Sequence, residues 1–334
     1  MDCGIVSTNK DKIYNIAIIG AGQLGSRHLQ GLAKSSKEFQ VFVIDPNAKS
    51  LKVAEERFKK VSKLSESIAS FHKNINDLPA KLDFAVIATT ANVRRLVTEN
   101  LLEQVNVRYI IFEKVVFQKS GDFLPVQNIF NKMGTKAWVN CTRRAYSLYK
   151  ELSKELKEET LEIKVSGRNW GLACNSIHMI DLLVFLTGQT DLVCNNSNLN
   201  ERIYPSKRDG YKELQGKFVI STGRGDILEL LDRDSFPKGD LTITINLNNR
   251  KIIVNEARKI LLSKIPNLKE EKEKIIIPLQ SEITGQIVDQ IIDTGDCDLV
   301  PYNECIQYHV PMLDAFNEHF SRVTGKDVVI CPIT

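Results

Sequence analysis

None of the seven cysteines in this 334-residue chain forms a Cys-x-x-Cys pair, and their number is odd. That pattern excludes a zinc ribbon, speaks against a disulfide framework, and fits a reducing, cytoplasmic setting; no metal site is expected. No apolar run approaches the roughly 20 residues that a membrane-spanning helix needs, so no membrane partner is expected. The polar stretch 1–12 lacks the apolar core of a secretory signal. Net charge is only +4, and no basic block carries interleaved aromatics, so nucleic acid is not an expected partner. Residues 269–274 mix charge signs and read as a solvated surface segment. Internal repeats and low-complexity tracts are missing too. What remains is an ordinary globular composition, 43% hydrophobic and 26% charged. A chain this long exceeds what one core usually serves, so two domains are expected.

The most informative motif is Gly20-Ala21-Gly22-Gln23-Leu24-Gly25, which follows the apolar run Ile16-Ala17-Ile18-Ile19 and precedes a helical pattern. A buried strand, a glycine turn and a helix N-terminus form the pyrophosphate cradle of dinucleotide-binding folds. Gly20 permits the turn, Gly22 lets a phosphate approach the backbone, and Gly25 lets the helix press on the strand. A second apolar run, Val41-Phe42-Val43-Ile44, delivers Asp45 about 20 residues past the last glycine, where a carboxylate binds the ribose hydroxyls of NAD. Asp45 would repel a 2′-phosphate, so NAD is expected over NADP, although Lys49 lies nearby.

Strand-like runs recur at 83–89, 108–112 and 137–140, with a shorter one at 68–71. Helical spacing fills 49–64 and 93–104, and 75–81 reads as a turn with a helix remnant. This alternation predicts a parallel, doubly wound sheet. Beyond residue 140 the pattern changes. Strands cluster at 161–166, 212–221, 227–231, 241–246, 251–255, 260–262 and 274–277, with helices at 175–186, 282–292 and 303–322. The expected fold is α/β: an N-terminal Rossmann domain (1–139) that binds NAD, then an α+β domain (140–334) with a largely antiparallel open sheet. Ligands bind at the carboxyl ends of parallel strands. Asp45, Thr89 to Asn92, and Glu113-Lys114 should therefore meet in one crevice, roofed by the second domain.

Two groups there could do chemistry. Lys114, partly desolvated at a strand end, could hold or protonate a substrate oxygen, or simply leave the strand for solvent. His178, in Cys174-Asn175-Ser176-Ile177-His178-Met179-Ile180-Asp181, shares a helix face with Cys174 and Asp181. It could be a general base or a satisfied core histidine. Cys174 and Cys141 read as packed apolar residues. Arg143, Arg144 and Tyr146 could bind an acidic or phosphorylated substrate group or form surface or interdomain salt bridges. His28 reads as packing across the sheet end; His72, His309 and His319 belong to no constellation.

The glycine turn with His28 (Gly-x-Gly-x-x-Gly-x-x-His), Thr89-Thr90-Ala91-Asn92, Glu113-Lys114, Asn140 to Arg144, the helix carrying His178 and Asp181, and the Ile-Cys-Pro-Ile-Thr stretch resemble the Gfo/Idh/MocA family of sugar and polyol oxidoreductases, along essentially the whole chain. The resemblance implies hydride transfer between a nicotinamide and a secondary-alcohol carbon of a sugar, sugar derivative or cyclic polyol. It implies Lys114 and His178 as catalytic residues. The expected cofactor contacts are Gly20, Gly22, Gln23, Leu24, Gly25, Asp45, Thr89, Asn92 and Glu113, with Asn140, Arg144, Asn175 and Asp181 against the substrate. It also implies a homodimer or homotetramer formed through the open sheet. Val115 replaces the family's proline after the lysine, so no low-cost cis bend is expected there and Lys114 should be aimed differently. Cys174 replaces an aspartate that assists the histidine. These departures leave open a non-catalytic dinucleotide-binding regulator or scaffold on the same fold. Reduction of a tetrapyrrole or imine is disfavoured by the polar crevice.

Overall fold

The computed structural model describes residues 12–62, 68–233, 239–247, 250–264 and 271–334. The polar lead before residue 12, the end of the predicted 49–64 helix and the start of the 269–274 segment lie outside these residues.

Strands and helices alternate through the first lobe: β1 (Ile13–Ile19), α1 (Gln23–Leu32), β2 (Glu38–Ile44), α2 (Ala48–Lys59), β3 (Ile68–His72), β4 (Lys81–Ile87), α3 (Ala91–Gln104), β5 (Asn106–Phe112), α4 (Phe123–Met133) and β6 (Lys136–Val139). The strands pair in parallel in the order β3-β2-β1-β4-β5-β6. That is the Rossmann order, with its reversal between β1 and β4. The apolar runs form central strands because helices cover both faces: Phe84, Ala85, Val86 and Ile87 are completely buried.

The second sheet comprises eight strands in the order β16-β15-β14-β13-β7-β12-β11-β8. They are β7 (Glu162–Arg168), β8 (Leu192–Leu199), β11 (Gly216–Thr222), β12 (Ile227–Arg233), β13 (Gly239–Asn246), β14 (Lys251–Asn255), β15 (Ile260–Lys264) and β16 (Glu271–Lys274), with the short β9 (Tyr204–Pro205) and β10 (Lys212–Glu213) paired separately. All neighbours are antiparallel except β7 and β12. Alternation places Ile243, Ile245, Ile252 and Val254 on the covered face. That cover comes from α5 (Ser147–Leu156), α6 (Leu172–Thr187) and α8 (Tyr302–Thr324), with α6 against β12 and α8 against β8. Among the described residues, no helix covers the other broad face. α7 (Gln280–Thr294) returns to pack on α1, and β17 (Val300–Pro301) adds an antiparallel edge to β6. Among the described residues, no helix is long and apolar enough to cross a membrane.

Several elements depart from the sequence reading. α4, α5 and β8 were not anticipated. β8 reads Leu-Val-Cys-Asn-Asn-Ser-Asn-Leu, and a sheet-edge position tolerates that polarity. The expected strand 212–221 is split, because Gly216 at φ +101° turns the chain between β10 and β11. The strand expected at 274–277 lies earlier, as the fully exposed β16.

Candidate active site

The glycine turn builds a crevice by backbone geometry. Gly20 sits at φ +97°, and a Cβ on Gly25 would lie 1.8 Å from the Gly20 carbonyl oxygen, so only hydrogen fits where α1 crosses β1. At Gly22 a Cβ would meet nothing within 4 Å; its open side faces a cavity of about 510 Å³ lined by Gly20, Gly22, Ile44, Asp45, Thr89 and Thr90. The N-terminus of α1 opens onto this cavity, and its partial positive charge and free N–H groups suit a phosphate. Asp45 ends β2 at its rim, accepting from the Ala21 N–H through Oδ2 and the Asn47 N–H through Oδ1, each at 2.8 Å. Thr89 Oγ1 is buried with no partner among the described residues. Four expected cofactor contacts sit elsewhere, Gly25 among them, packed on Gly20 and Ile18 of the strand end. Gln23 and Leu24 begin α1 without lining the cavity, and Gln23 Oε1 accepts from Arg57 at 3.0 Å. Asn92 Oδ1 accepts from the Tyr211 hydroxyl at 2.7 Å, a bridge to the second lobe.

Glu113 is also withdrawn from the crevice. Its buried Oε1 lies 2.8 Å from His28 Nε2 and accepts from Asn140 Nδ2 at 2.7 Å; Asn140 also donates to Gln280, and His28 Nδ1 lies 3.0 Å from Thr284 Oγ1. Burial works to raise the Glu113 carboxyl, but His28, Asn140 and Lys114 together hold it below its ordinary value. Thus His28, expected only to pack, joins α1 to the end of β5, and Asn140, expected against substrate, completes that polar network. Arg94, which the sequence reading passed over, is 1% exposed. Its guanidinium donates to the carbonyls of Thr89, Glu113, Val115 and Val116, fixing the turn that carries Lys114. Only its place near the start of α3, beside the Thr89-Thr90 strand end, could have signalled this.

The Lys114–Val115 peptide is cis, contrary to the expectation drawn from the missing proline. Lys114 Nζ crosses to the second lobe and donates to the Cys174 carbonyl at 2.9 Å and to Asn175 Oδ1 at 3.3 Å. Burial lowers its pKa below the usual 10.5, against the pull of Cys174 and Glu113. These contacts form because Gly171, at φ +82°, starts α6 beside the turn. Asn175 Nδ2 donates back to the Trp170 and Gly171 carbonyls at 3.0 Å, locking its oxygen toward the lysine.

One helical turn beyond Cys174, His178 lines a cavity of about 400 Å³ with Arg143, Trp170, Asn175 and Met179. Its Nδ1 is buried with no partner among the described residues. Burial first, then the charges of Lys114 and Arg143, hold the imidazole well below its ordinary 6.5. At neutral pH it is therefore uncharged, within reach of the charge of Lys114. Cys174 is 8% exposed, and burial, reinforced by Glu213, pushes its thiol up to about 12, so it is no nucleophile.

Asp181 and Arg144, expected against substrate, do not line this cavity. Asp181 stands two turns along α6 from Cys174, about 10 Å by helix rise. There its Oδ1 accepts from Arg144 Nε at 2.9 Å and from the Tyr308 hydroxyl at 2.6 Å, while Arg144 also reaches Glu304 at 2.7 Å. Arg143 is committed to Glu256 through two bonds of 2.8 and 2.7 Å. A salt-bridge reading of these arginines fits better than an anion site, but the bridges lie within the second domain and not between the two.

Comparisons with known proteins bear on the fold. Residues 15–122 match the family model of the 3-hydroxyacyl-CoA dehydrogenase NAD-binding domain. No curated protein matches the chain by sequence. Among solved structures, UDP-N-acetylglucosamine 3-dehydrogenase from Acidithiobacillus ferrooxidans is similar at TM-score 0.70 and 15% identity, covering 91% of this chain and 97% of that one. Levoglucosan dehydrogenase in complex with NADH is similar at TM-score 0.69 and 14% identity, covering 97% and 100%. An oxidoreductase from Agrobacterium radiobacter, in complex with NAD+, L-tartaric acid and magnesium, is similar at 0.66 and 15%, covering 92% and 96%. The fold of this chain is that of the Gfo/Idh/MocA-type dehydrogenases, the family its motifs resemble.

Proposed function

We propose that the protein is an NAD-dependent oxidoreductase acting on a secondary alcohol of a sugar, sugar derivative or cyclic polyol. The observation that carries this reading is the meeting of Lys114 with the start of α6: an ammonium from the nucleotide lobe is fixed on Cys174 and Asn175, one helical turn before His178, near enough for its charge to act on that imidazole. When bound, the nicotinamide supplies hydride acceptance or donation. Gly20, Gly22, Asp45 and Thr89 would hold the dinucleotide; the carboxylate at Asp45 favours an unphosphorylated ribose, hence NAD. Lys114 has two of its three protons committed to Cys174 and Asn175, and the third is available to a substrate oxygen. His178 accepts the hydroxyl proton in oxidation and returns it in reduction. Asn175 fixes the lysine and can also touch substrate, whereas Arg144, Asp181, Asn140 and Glu113 support the site from behind.

In this reading residues 1–139 serve the nucleotide and 140–334 the substrate, with α7 and β17 of the second segment packed back on the first lobe. The open face of the eight-stranded sheet is the proposed homodimer or homotetramer interface, which light scattering tests directly.

The activity test is NADH formation from NAD with a panel of sugars, polyols, uronates and nucleotide sugars. Turnover with at least one secondary alcohol is expected. Cys174, standing where the family's aspartate does, favours a second reading: a non-catalytic dinucleotide-binding regulator. Tight NADH binding without turnover on the whole panel would select it.

A further inference from the structure

On the Cys174 side of Asn175 lies a separate cavity of about 410 Å³. Its inner wall is made of acceptors. Glu213 Oε2 and Oε1 accept from the Ala173 and Cys174 N–H groups at 2.9 and 3.4 Å, and Asp232 Oδ2 from those of Trp170 and Gly171 at 3.1 Å. Both carboxylates are thereby turned to the start of α6. Two acceptors of this wall stay open: Gln215 is 5% exposed and its Nε2 donates to Asn169, while its Oε1, like Asp232 Oδ1, is buried with no partner among the described residues. A buried acceptor left open in a cavity wall asks for a donor from a ligand.

The outer wall has the opposite character. Lys207 and Arg208 line the same cavity from the turn between β9 and β10. That turn is pinned: the Ser206 N–H donates to the Tyr211 carbonyl at 2.9 Å, Tyr211 reaches Asn92 in the first lobe, and the Lys212 N–H donates to the Pro332 carbonyl at 2.7 Å. Both cations are exposed, and neither forms an ion pair among the described residues. Elsewhere around α6 the arginines are spoken for, Arg143 by Glu256 and Arg144 by Asp181 and Glu304. Arg208 lies close enough to Lys114 and Arg94 for its charge to act on both. Two unpaired cations thus stand on the outer wall, while the Glu213 and Asp232 carboxylates opposite them are turned to the α6 N–H groups, so the outer wall is the side that favours an anion, and a guanidinium fork matches a carboxylate or phosphate.

We propose that the substrate carries an anionic group, carboxylate or phosphate, held by Lys207 and Arg208, while Gln215 Oε1 accepts a hydroxyl or amide proton of the same molecule. This selects acidic or phosphorylated sugars over neutral ones, and it rests on reading the crevice as a sugar site. The test is calorimetric titration of the full chain, with and without NADH, using glucuronate, glucose 6-phosphate and glucose. At least one anionic ligand should bind about tenfold or more tighter than glucose, and added salt should erase the difference. The K207A/R208A double variant, altering two exposed side chains, should bring anionic binding down to the glucose level while NADH affinity holds. Binding of glucuronate alone would assign carboxylate, and of glucose 6-phosphate alone phosphate; both sustain the proposal. Equal binding of all three ligands, no binding of either anion, or an unchanged preference in the double variant would overturn it. Anion preference without turnover of any sugar would remove the oxidoreductase reading and leave this site standing. Turnover of neutral sugars without anion preference would do the reverse.

Discussion

The two ligand-facing regions are built from different materials. The crevice between β1 and β4 is shaped by main chain: a glycine at φ +97°, a helix packed so closely that no Cβ fits, and the open face of Gly22. Asp45 is the acid on its rim. The cavities flanking Asn175 are lined by charged and polar side chains drawn from α6, the β9–β10 turn, β12 and the start of β13, some paired and some not. A backbone-built site tolerates little change in its frame. A side-chain-built site can be retuned one residue at a time without unfolding the lobe, which suits a fold that meets many substrates.

That contrast can be broken or sharpened by substitution. The largest effect is expected at Gly25→Val. The new side chain would collide with the Gly20 carbonyl, destabilise the first lobe by about 3 kcal/mol or more, and lower the melting temperature sharply. Gly22→Ala, a few residues away, should leave melting unchanged and weaken NADH binding, measured by fluorescence quenching. Equal damage to stability from both would mean the turn is packing, not a cradle. On the side-chain side, Lys114→Met should reduce turnover by about 10²-fold or more while the lobes remain folded, as judged by circular dichroism.

The pH dependence follows from the same burial. His178 is held well below 6.5 and Lys114 below 10.5. The rate should therefore stay flat through the ordinary histidine range and fall only at lower pH; the alkaline limb should begin below the usual lysine value, as Lys114 loses its proton. Stability carries the corresponding sign. His178 and His309, the latter held down to about 3 by burial, resist protonation in the fold, whereas the unfolded chain takes up those protons near 6.5. Stability is thus fully present above that value and is lost progressively as pH falls toward about 3. Melting temperatures measured from pH 8 downward should show the decline beginning near pH 6.5; a flat profile would place these imidazoles in water. The smallest effect is expected at Asp45→Asn, which keeps an acceptor for Ala21 but removes the charge. It should cost less than about tenfold in NADH affinity and narrow the gap to NADPH.

The same contrast explains what the sequence made legible. The glycine spacing, the buried runs and Asp45 are local signals, and they place the nucleotide crevice at the right strand ends. Lys114 and His178 were singled out through the ordered motifs of the family, and their catalytic roles are proposals. Lys207, Arg208 and Gln215 were not, because a turn between two short strands has no periodicity, and their proximity to Cys174 exists only after the sheet has folded. Arg143 and Arg144 show an ambiguity that sequence left open. Adjacent arginines at a domain junction suggest an anion site, yet Glu256, Asp181 and Glu304, distant in sequence, neutralise them. Asp181 shares a helical face with Cys174, as expected, but two turns of rise put it against α8 instead of the cavity. β8 was missed because its asparagines hide the alternation that an edge strand does not need.

The most direct test of the central claim is NADH formation at neutral pH by the parent protein and His178→Gln on the best substrate of the panel, with NADH affinity measured in parallel. A loss of about 10²-fold or more in rate at unchanged NADH affinity is the expected result. Equal rates in the two proteins would contradict the role given to His178 and with it the mechanism.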